Sequence, residues 1–493
     1  MPTDKRLQSL SKLLVGISVP SIHKDKLVEG LSLDSRKVKK GYLFFAINGE
    51  KNNGSNFIGE AIKNGAIFIL TDQESASITS NIVYLANLSK EIGLISSRFY
   101  GNPSSSLELF CATGTNGKTS YVELTSNIAR KLGIKSGYIS TINYSTNENK
   151  LFASSLTTPD PINLNAQLSK MVTEGCKLGA IEASSHGLVQ NRLSGIKINM
   201  AVLTSFSHDH LDYHETLENY ALAKRSLFVD LDVEIGLINI DSNFGYNLYK
   251  ELKDIGKKIY SISKKREADF KVIFKKNSFN YTELELISII GNINFKVNTF
   301  SKMIAFNSAL ALSSLGLKGI PLKNIAGVMS QLIFPEGRME LIKINKVSSC
   351  IVDFAHTPDA LLQSLQEIKE SIKGELWCLF GCGGNRDVEK RTIMGSIAEE
   401  LSDRVILTND NPREEAPMTI IKDILSGMVN PSLAVIEEDR EKAIYLCVKE
   451  IYSSKKPINL LIAGKGHEKH QLIGNKYFKF NDKQVVLSTL KIL

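Results

Sequence analysis

Long apolar runs are missing from this sequence of 493 residues. No stretch approaches the roughly 18 residues that a membrane-spanning helix needs, so membrane insertion is not expected. The start, MPTDKRLQSLSKLLVGI, lacks the extended apolar core and small-residue cleavage site of a secretory signal. Cysteine is scarce: the six, at 111, 176, 350, 378, 382 and 447, form no CxxC pair and no disulfide-scaffold density. Reduced, buried thiols and a cytoplasmic setting are expected. A dense basic patch interleaved with aromatics is also missing. The net charge is +8, but the lysines are scattered apart from short clusters such as Lys264-Lys265-Arg266 and Lys275-Lys276. Nucleic acid is therefore not expected as a partner. A positive balance suits a small substrate carrying phosphates and carboxylates.

What is present reads as a globular protein, 43% hydrophobic and 23% charged, long enough for about three domains. The most telling stretch is Ala112-Thr113-Gly114-Thr115-Asn116-Gly117-Lys118-Thr119-Ser120. It follows the apolar run Leu107 to Cys111. It leads into a helical stripe of Val122, Leu124, Ile128 and Leu132, with Gly133 as the stop. Strand, glycine loop and helix make a phosphate cradle. Backbone N–H groups face the anion, Lys118 reaches the outer phosphates and Thr119 offers a hydroxyl to magnesium. The usual pattern has glycine where Ala112 stands, so the loop is a variant form.

Other candidates are weaker in isolation. Glu182 ends an apolar run, where a hard cation finds carboxylate oxygen. The loop His208-Asp209-His210-Leu211-Asp212-Tyr213-His214 suggests zinc by its histidines but has no cysteine partner, and beside a triphosphate magnesium fits better. Lys224, near the apolar face of a helix, reads alone as a lysine snorkelling to water. Gly381-Cys382-Gly383-Gly384 follows a strand but lacks G-x-G-x-x-G spacing. Strand and helix patterns alternate from about 107 to 335, giving a doubly wound parallel sheet, with antiparallel additions over 257–299. The last third repeats strand and helix, with strands at Cys350–Phe354, Leu376–Phe380, Arg404–Thr408, Leu433–Ile436 and Asn459–Ala463. Tyr100 to Ser106 reads as a linker.

The string Thr113 to Thr119 resembles the phosphate loop of the Mur ligases and folylpolyglutamate synthetases, and EASSHGL around Glu182 resembles the Mur ligase signature. The resemblance spans the chain and implies a three-domain α/β fold. Residues 1–104 would form a small UDP-sugar-binding domain, 105–336 a central ATPase domain, and 337–493 a Rossmann-like amino-acid-binding domain. It implies an ATP-dependent amide ligase working through an acyl phosphate. The Asp34-Ser35-Arg36 and Asp410-Asn411-Pro412-Arg413 strings resemble the members that add meso-diaminopimelate to the D-glutamate γ-carboxylate of a UDP-muramyl-dipeptide. ATP and two Mg²⁺ ions follow, with Thr119, Glu182, His210 and a CO₂-carbamylated Lys224 as metal ligands. The implied catalytic set is Lys118, Glu182, His210 and Lys224. Gly114 to Ser120, Asn307, Arg338 and Asp353 would hold the nucleotide. Leu33, Ser35, Glu50, Lys51 and Asn52 would touch the uridine-sugar, and Thr157, Thr158, Ser184, Gln190 and Arg192 the muramyl-peptide. Leu156 stands where the family often has asparagine. Arg386, Asp410 to Arg413, Gly464 and Glu468 would receive the amino acid. His208 and His214 are left as surface or hydrogen-bonding residues. A monomer is expected. Rival readings are a sister ligase adding L-lysine, a folate-type ligase, and a catalytically silent nucleotide switch.

Overall fold

The computed structural model describes residues 7–18, 20–49, 53–74, 79–147, 150–154 and 156–493. Three largely parallel sheets follow one another along the chain. The first has four strands in sequential order, Gly30–Ser32, Tyr42–Ala46, Ala66–Thr71 and Ile82–Tyr84. Its middle strands are continuous apolar runs, as strands covered on both faces must be. Glu50, Lys51 and Asn52 lie outside the described residues.

The central sheet has eleven strands. Strand Glu108–Thr113 lies between Leu178–Glu182 and Met200–Leu203, all three parallel. Successive strands then leave it on both sides, so the crevice at their carboxyl ends is a topological switch point, where such sheets bind ligands. Helix Lys118–Lys131 covers this crevice from one face, and Val122, Leu124 and Ile128 are fully buried as the stripe required. It packs on helix Lys302–Leu317, which is apolar nearly all round and lies in the core. Antiparallel additions were expected over 257–299, and Phe270–Ser278, Tyr281–Ser288 and Ile293–Val297 form such an antiparallel meander. Ile259–Ser263 instead pairs parallel with the start of Phe270–Ser278. A short turn at 264–269 joins the parallel pair, too short for the helical crossover that parallel pairing usually needs.

The third sheet has six strands, led by antiparallel Glu340–Lys343 and followed by Ser349–Asp353, Ile458–Ala463, Glu375–Phe380, Arg404–Leu407 and Val435–Ile436. The expected strand from Leu433 is shortened because Pro431–Leu433 forms a 3₁₀ turn, led by a proline that donates no ladder hydrogen bond. The Tyr100 to Ser106 linker turns at Asn102, which has φ +51°, before the short helix Pro103–Ser106.

Candidate active site

Two cavities share one wall at the carboxyl ends of the second and third sheets. The first, about 400 Å³, is floored by Thr115 to Ser120. Gly117 has φ +88°, and a Cβ there would stand 2.7 Å from Asn307 Oδ1, so the loop needs glycine both for conformation and for closeness to the asparagine. Lys118 Nζ donates to the Gly114 and Thr115 carbonyls at 2.8 and 2.9 Å. Thr119 Oγ1 donates to Glu182 Oε1 at 2.8 Å, and Thr141 holds both Glu182 oxygens, its N–H at 2.7 Å from Oε1 and its hydroxyl at 3.1 Å from Oε2. A buried carboxylate beside a hydroxyl at a phosphate loop is the hard-oxygen donor set that Mg²⁺ takes, and this pair fits it.

Arg338 reaches the same place from the hinge into the third sheet. Its Nη2 is 3.3 Å from Thr119 Oγ1, and its guanidinium stacks 4.4 Å from the Phe354 ring centroid. Its Nε is buried with no hydrogen-bond partner among the described residues, a donor left over for a ligand. Lys224, on helix Leu217–Val229, is 1% exposed rather than snorkelling. Its Nζ lies 4.1 Å from the Tyr220 ring centroid. Burial, with the Lys118 charge nearby, holds its amine well below the usual lysine range. A neutral buried amine is what carbamylation requires.

His210 caps helix Leu211–His214 with φ +56°, and its Nε2 lies 3.4 Å from Asp209 Oδ2. Burial pushes the imidazole down to about 4, so it is a neutral nitrogen donor at neutral pH. Of the three histidines of this loop, His210 and His214 both pack on His186 and Tyr220. His208 is exposed, and His214, expected at the surface or in a hydrogen bond, is 5% exposed and packs on His186, Tyr213 and Tyr220. Among the described residues no three His, Cys, Asp or Glu side chains group as a metal cage.

The second cavity, about 280 Å³, is lined by Arg386, Lys390, Asp410, Asn411, Arg413 and Glu468, among others. His186, Asp209, His210, Phe354, His356 and Arg386 line both cavities, so the phosphate region opens directly onto a pocket rich in charge. Arg413 has φ +54°, and its Nη1 donates to Gly384 O at 2.8 Å. A Cβ on Gly383 would meet that nitrogen at 2.9 Å, which explains the glycine there. The Gly381 to Gly384 turn is thus a wall of this pocket, not a dinucleotide loop.

Thr157, Ser184 and Arg192 line the first cavity, as does Leu156, which is 44% exposed. Thr158, Gln190, Asn307, Asp353 and Pro412 do not line either cavity. Thr158 is fully buried and braces the strand end, its Oγ1 donating to Glu182 O at 2.8 Å and accepting from Ser184 N at 2.9 Å. Gln190 Oε1 instead holds the Arg192 guanidinium, at 2.6 Å from Nη2. Both Asp353 oxygens are taken, by Met339 N at 2.9 Å and Ser364 Oγ at 2.7 Å, which pins the hinge. In the first sheet, Leu33 and Ser35 border a separate cavity of about 510 Å³ with Asp34, Arg36 and Glu60. Thr141, Asp209, His186 and His356 were not singled out from sequence. Asp209 and His186 stand inside strings already quoted, but nothing local marks Thr141.

Family models cover most of the chain. The Mur ligase family catalytic domain matches residues 27–94, the Mur ligase middle domain 112–315, and the Mur ligase glutamate ligase domain 337–466. The chain belongs to the Mur ligase family. It is 35% identical over 502 residues to the UDP-N-acetylmuramoyl-L-alanyl-D-glutamate--2,6-diaminopimelate ligase of Haemophilus influenzae (strain PittEE), covering 98% of this chain and 100% of that one. It is 38% identical over 469 residues to the ligase of the same name from Aquifex aeolicus, covering 94% of each. A solved structure titled as that ligase matches with a TM-score of 0.73, 30% identity and 99% coverage of both chains. Like other Mur ligases, this one has three α/β domains in sequence.

Proposed function

We propose that this Mur ligase joins meso-diaminopimelate to the D-glutamate γ-carboxylate of UDP-N-acetylmuramoyl-L-alanyl-D-glutamate, driven by ATP, in peptidoglycan precursor synthesis. It is a peptide ligase of the ADP-forming kind, divided near residues 104 and 336, and acts in the cytoplasm as a monomer. The observation that carries the reading is the wall shared by the phosphate cavity and the charged pocket. An acyl phosphate made in one is open to an amine held in the other. The identity of the relatives supports the substrates.

The residues divide the work as follows. Lys118, Arg338 and the loop N–H groups compensate charge on the transferred phosphoryl group. Thr119 and Glu182 would hold one Mg²⁺, and His210 with carbamylated Lys224 a second. Bound there, the metal supplies further electrostatic compensation to the phosphates. Thr157, Ser184 and Arg192 orient the dipeptide end, and Leu33 and Ser35 the uridine-sugar. Arg413 grips the distal carboxylate of diaminopimelate with parallel hydrogen bonds, for which lysine has no group. The amine attacks the acyl carbon, the acyl–phosphate bond breaks, and phosphate leaves. Closure against water protects the intermediate.

Mass spectrometry of the product tests this directly. The UDP-muramyl-dipeptide should gain one diaminopimelate by amide linkage, with ADP and phosphate formed in equal amounts. Recovery of unmodified dipeptide with ATP intact would refute it.

A further inference from the structure

Lys465 has no part in the chemistry described above, yet it is fully buried directly behind the amino-acid pocket. It follows strand Ile458–Ala463. Its Nζ donates to Asn411 Oδ1 at 3.0 Å and to Glu468 Oε2 at 2.5 Å. Asn411 Nδ2 donates to the same Glu468 oxygen at 2.9 Å, closing a triangle. Asn411 Oδ1 also accepts from Leu472 N at 2.9 Å, which ties the triangle to hairpin His470–Ile473 and Lys476–Lys479. Both partners of Lys465 line the pocket.

This geometry changes how Glu468 acts. From the sequence it was expected among the residues that receive the amino acid, where a carboxylate suits an ammonium. Its charge is instead compensated from within, and Oε2 already carries two donors. A ligand that brings only a cation meets at Glu468 a carboxylate already paired, in a pocket where Arg386, Lys390 and Arg413 stand among Asp209, Asp387 and Asp410. A ligand that brings a carboxylate beside its ammonium satisfies Arg413 as well. Discrimination of this kind needs an element that rejects the competitor as well as one that attracts the substrate.

We infer that Lys465 is a specificity-determining positioning residue, whose buried charge pre-pairs Glu468 so that the pocket accepts a zwitterionic distal end and refuses a purely cationic one. The inference rests on the reading that this pocket receives the amino acid. That reading is judged by the unsubstituted enzyme, and this one by its variants.

The experiment compares kcat/KM for meso-diaminopimelate and L-lysine in the full-length enzyme. Lys465→Gln keeps a donor to Asn411 and drops the charge. It should lower the diaminopimelate-to-lysine ratio by about tenfold or more, while KM for ATP and for the UDP-muramyl-dipeptide stays unchanged. Lys465→Arg keeps the charge and should keep the ratio. The double variant Lys465→Gln/Glu468→Gln buries no unpaired charge and should recover discrimination relative to Lys465→Gln, even at lower overall activity. If Lys465→Gln fails to fold, Glu468→Gln serves, since it leaves Lys465 unpaired and should reject L-lysine more strongly than the double variant does. An equal fall for both amines in Lys465→Gln would make Lys465 merely structural and overturn the inference. So would a double variant no different from its parent single. An unsubstituted enzyme that uses no diaminopimelate would overturn the underlying reading, and this inference with it.

Discussion

At the scale of single residues, the site rests on one glycine-bearing phosphate loop and several buried polar groups. Lys118 is the point charge of the loop, so Lys118→Ala should abolish turnover and leave the circular dichroism spectrum and melting temperature close to those of the parent. Near-normal ligation by a folded Lys118→Ala enzyme would remove the phosphate assignment. Burial, with Lys118 nearby, lowers the Lys224 amine well below the usual lysine range. Lys224→Ala should lose activity, with formate or acetate partly restoring it, because a small carboxylate fits the space that a carbamate would fill. Full activity without added acid would take the carbamate out of the mechanism. The residues legible in advance were those whose role is written in local backbone: Gly117, Lys118 and Thr119 in a strand–loop–helix, and Glu182 at a strand end. Thr141 was not legible, because it reaches Glu182 only when strand Ser136–Ile139 lies parallel beside Leu178–Glu182. Asp353 and Thr158 were legible as important, but their side chains are spent on holding the hinge and the strand end.

At the scale of elements, the periodic stretches were legible and the irregular ones were not. Helix Lys118–Lys131 and the parallel strands follow from apolar spacing. The hairpin 470–479 is tied to the distant Asn411 and Arg413, and Phe270–Ser278 pairs parallel with Ile259–Ser263 across a connection too short to predict it. The last helix, Asp482–Ile492, shows how such contacts act. Arg440 and Asp482 form a fully buried bidentate pair at 2.7 and 2.9 Å, and Arg440 also donates to Asn409 O and Ala463 O. Those carbonyls immediately precede Asp410 and Gly464 of the pocket, so the pair braces two pocket loops from behind. Asp482→Ala leaves a buried guanidinium uncompensated and should cost about 3–5 kcal/mol in urea unfolding. A loss below about 1 kcal/mol would mean that water or another group replaces the aspartate.

At the scale of the whole molecule, the second and third sheets meet through a titratable seam. Glu367, on helix Pro358–Ser371, accepts from Met303 N at 2.6 Å and Ser301 Oγ at 2.7 Å, capping helix Lys302–Leu317 of the central domain. Burial, the largest influence, pushes its carboxyl up to about 7 against those two donors. A carboxyl raised above its unfolded value of about 4.5 favours the folded state fully below that value, and the advantage is lost as pH rises through 7. Glu367→Gln removes the titration. Relative to the parent, it should gain stability between pH 5 and pH 8, read as a rising melting temperature, by an amount on the order of 3 kcal/mol or less. A pH-independent difference would place no titration in the seam. The junction matters because the amine pocket and the phosphate cavity meet only where these two domains meet. Amine-dependent phosphate release, with ATP, Mg²⁺ and UDP-muramyl-dipeptide present, tests that arrangement most directly. Release is expected with meso-diaminopimelate and only marginally with L-lysine or L-glutamate, and Arg413→Ala should erase the preference by removing a charged pair worth about 2–5 kcal/mol. Equal release with L-lysine and meso-diaminopimelate by the unsubstituted enzyme, or release that ignores the amine altogether, would contradict it.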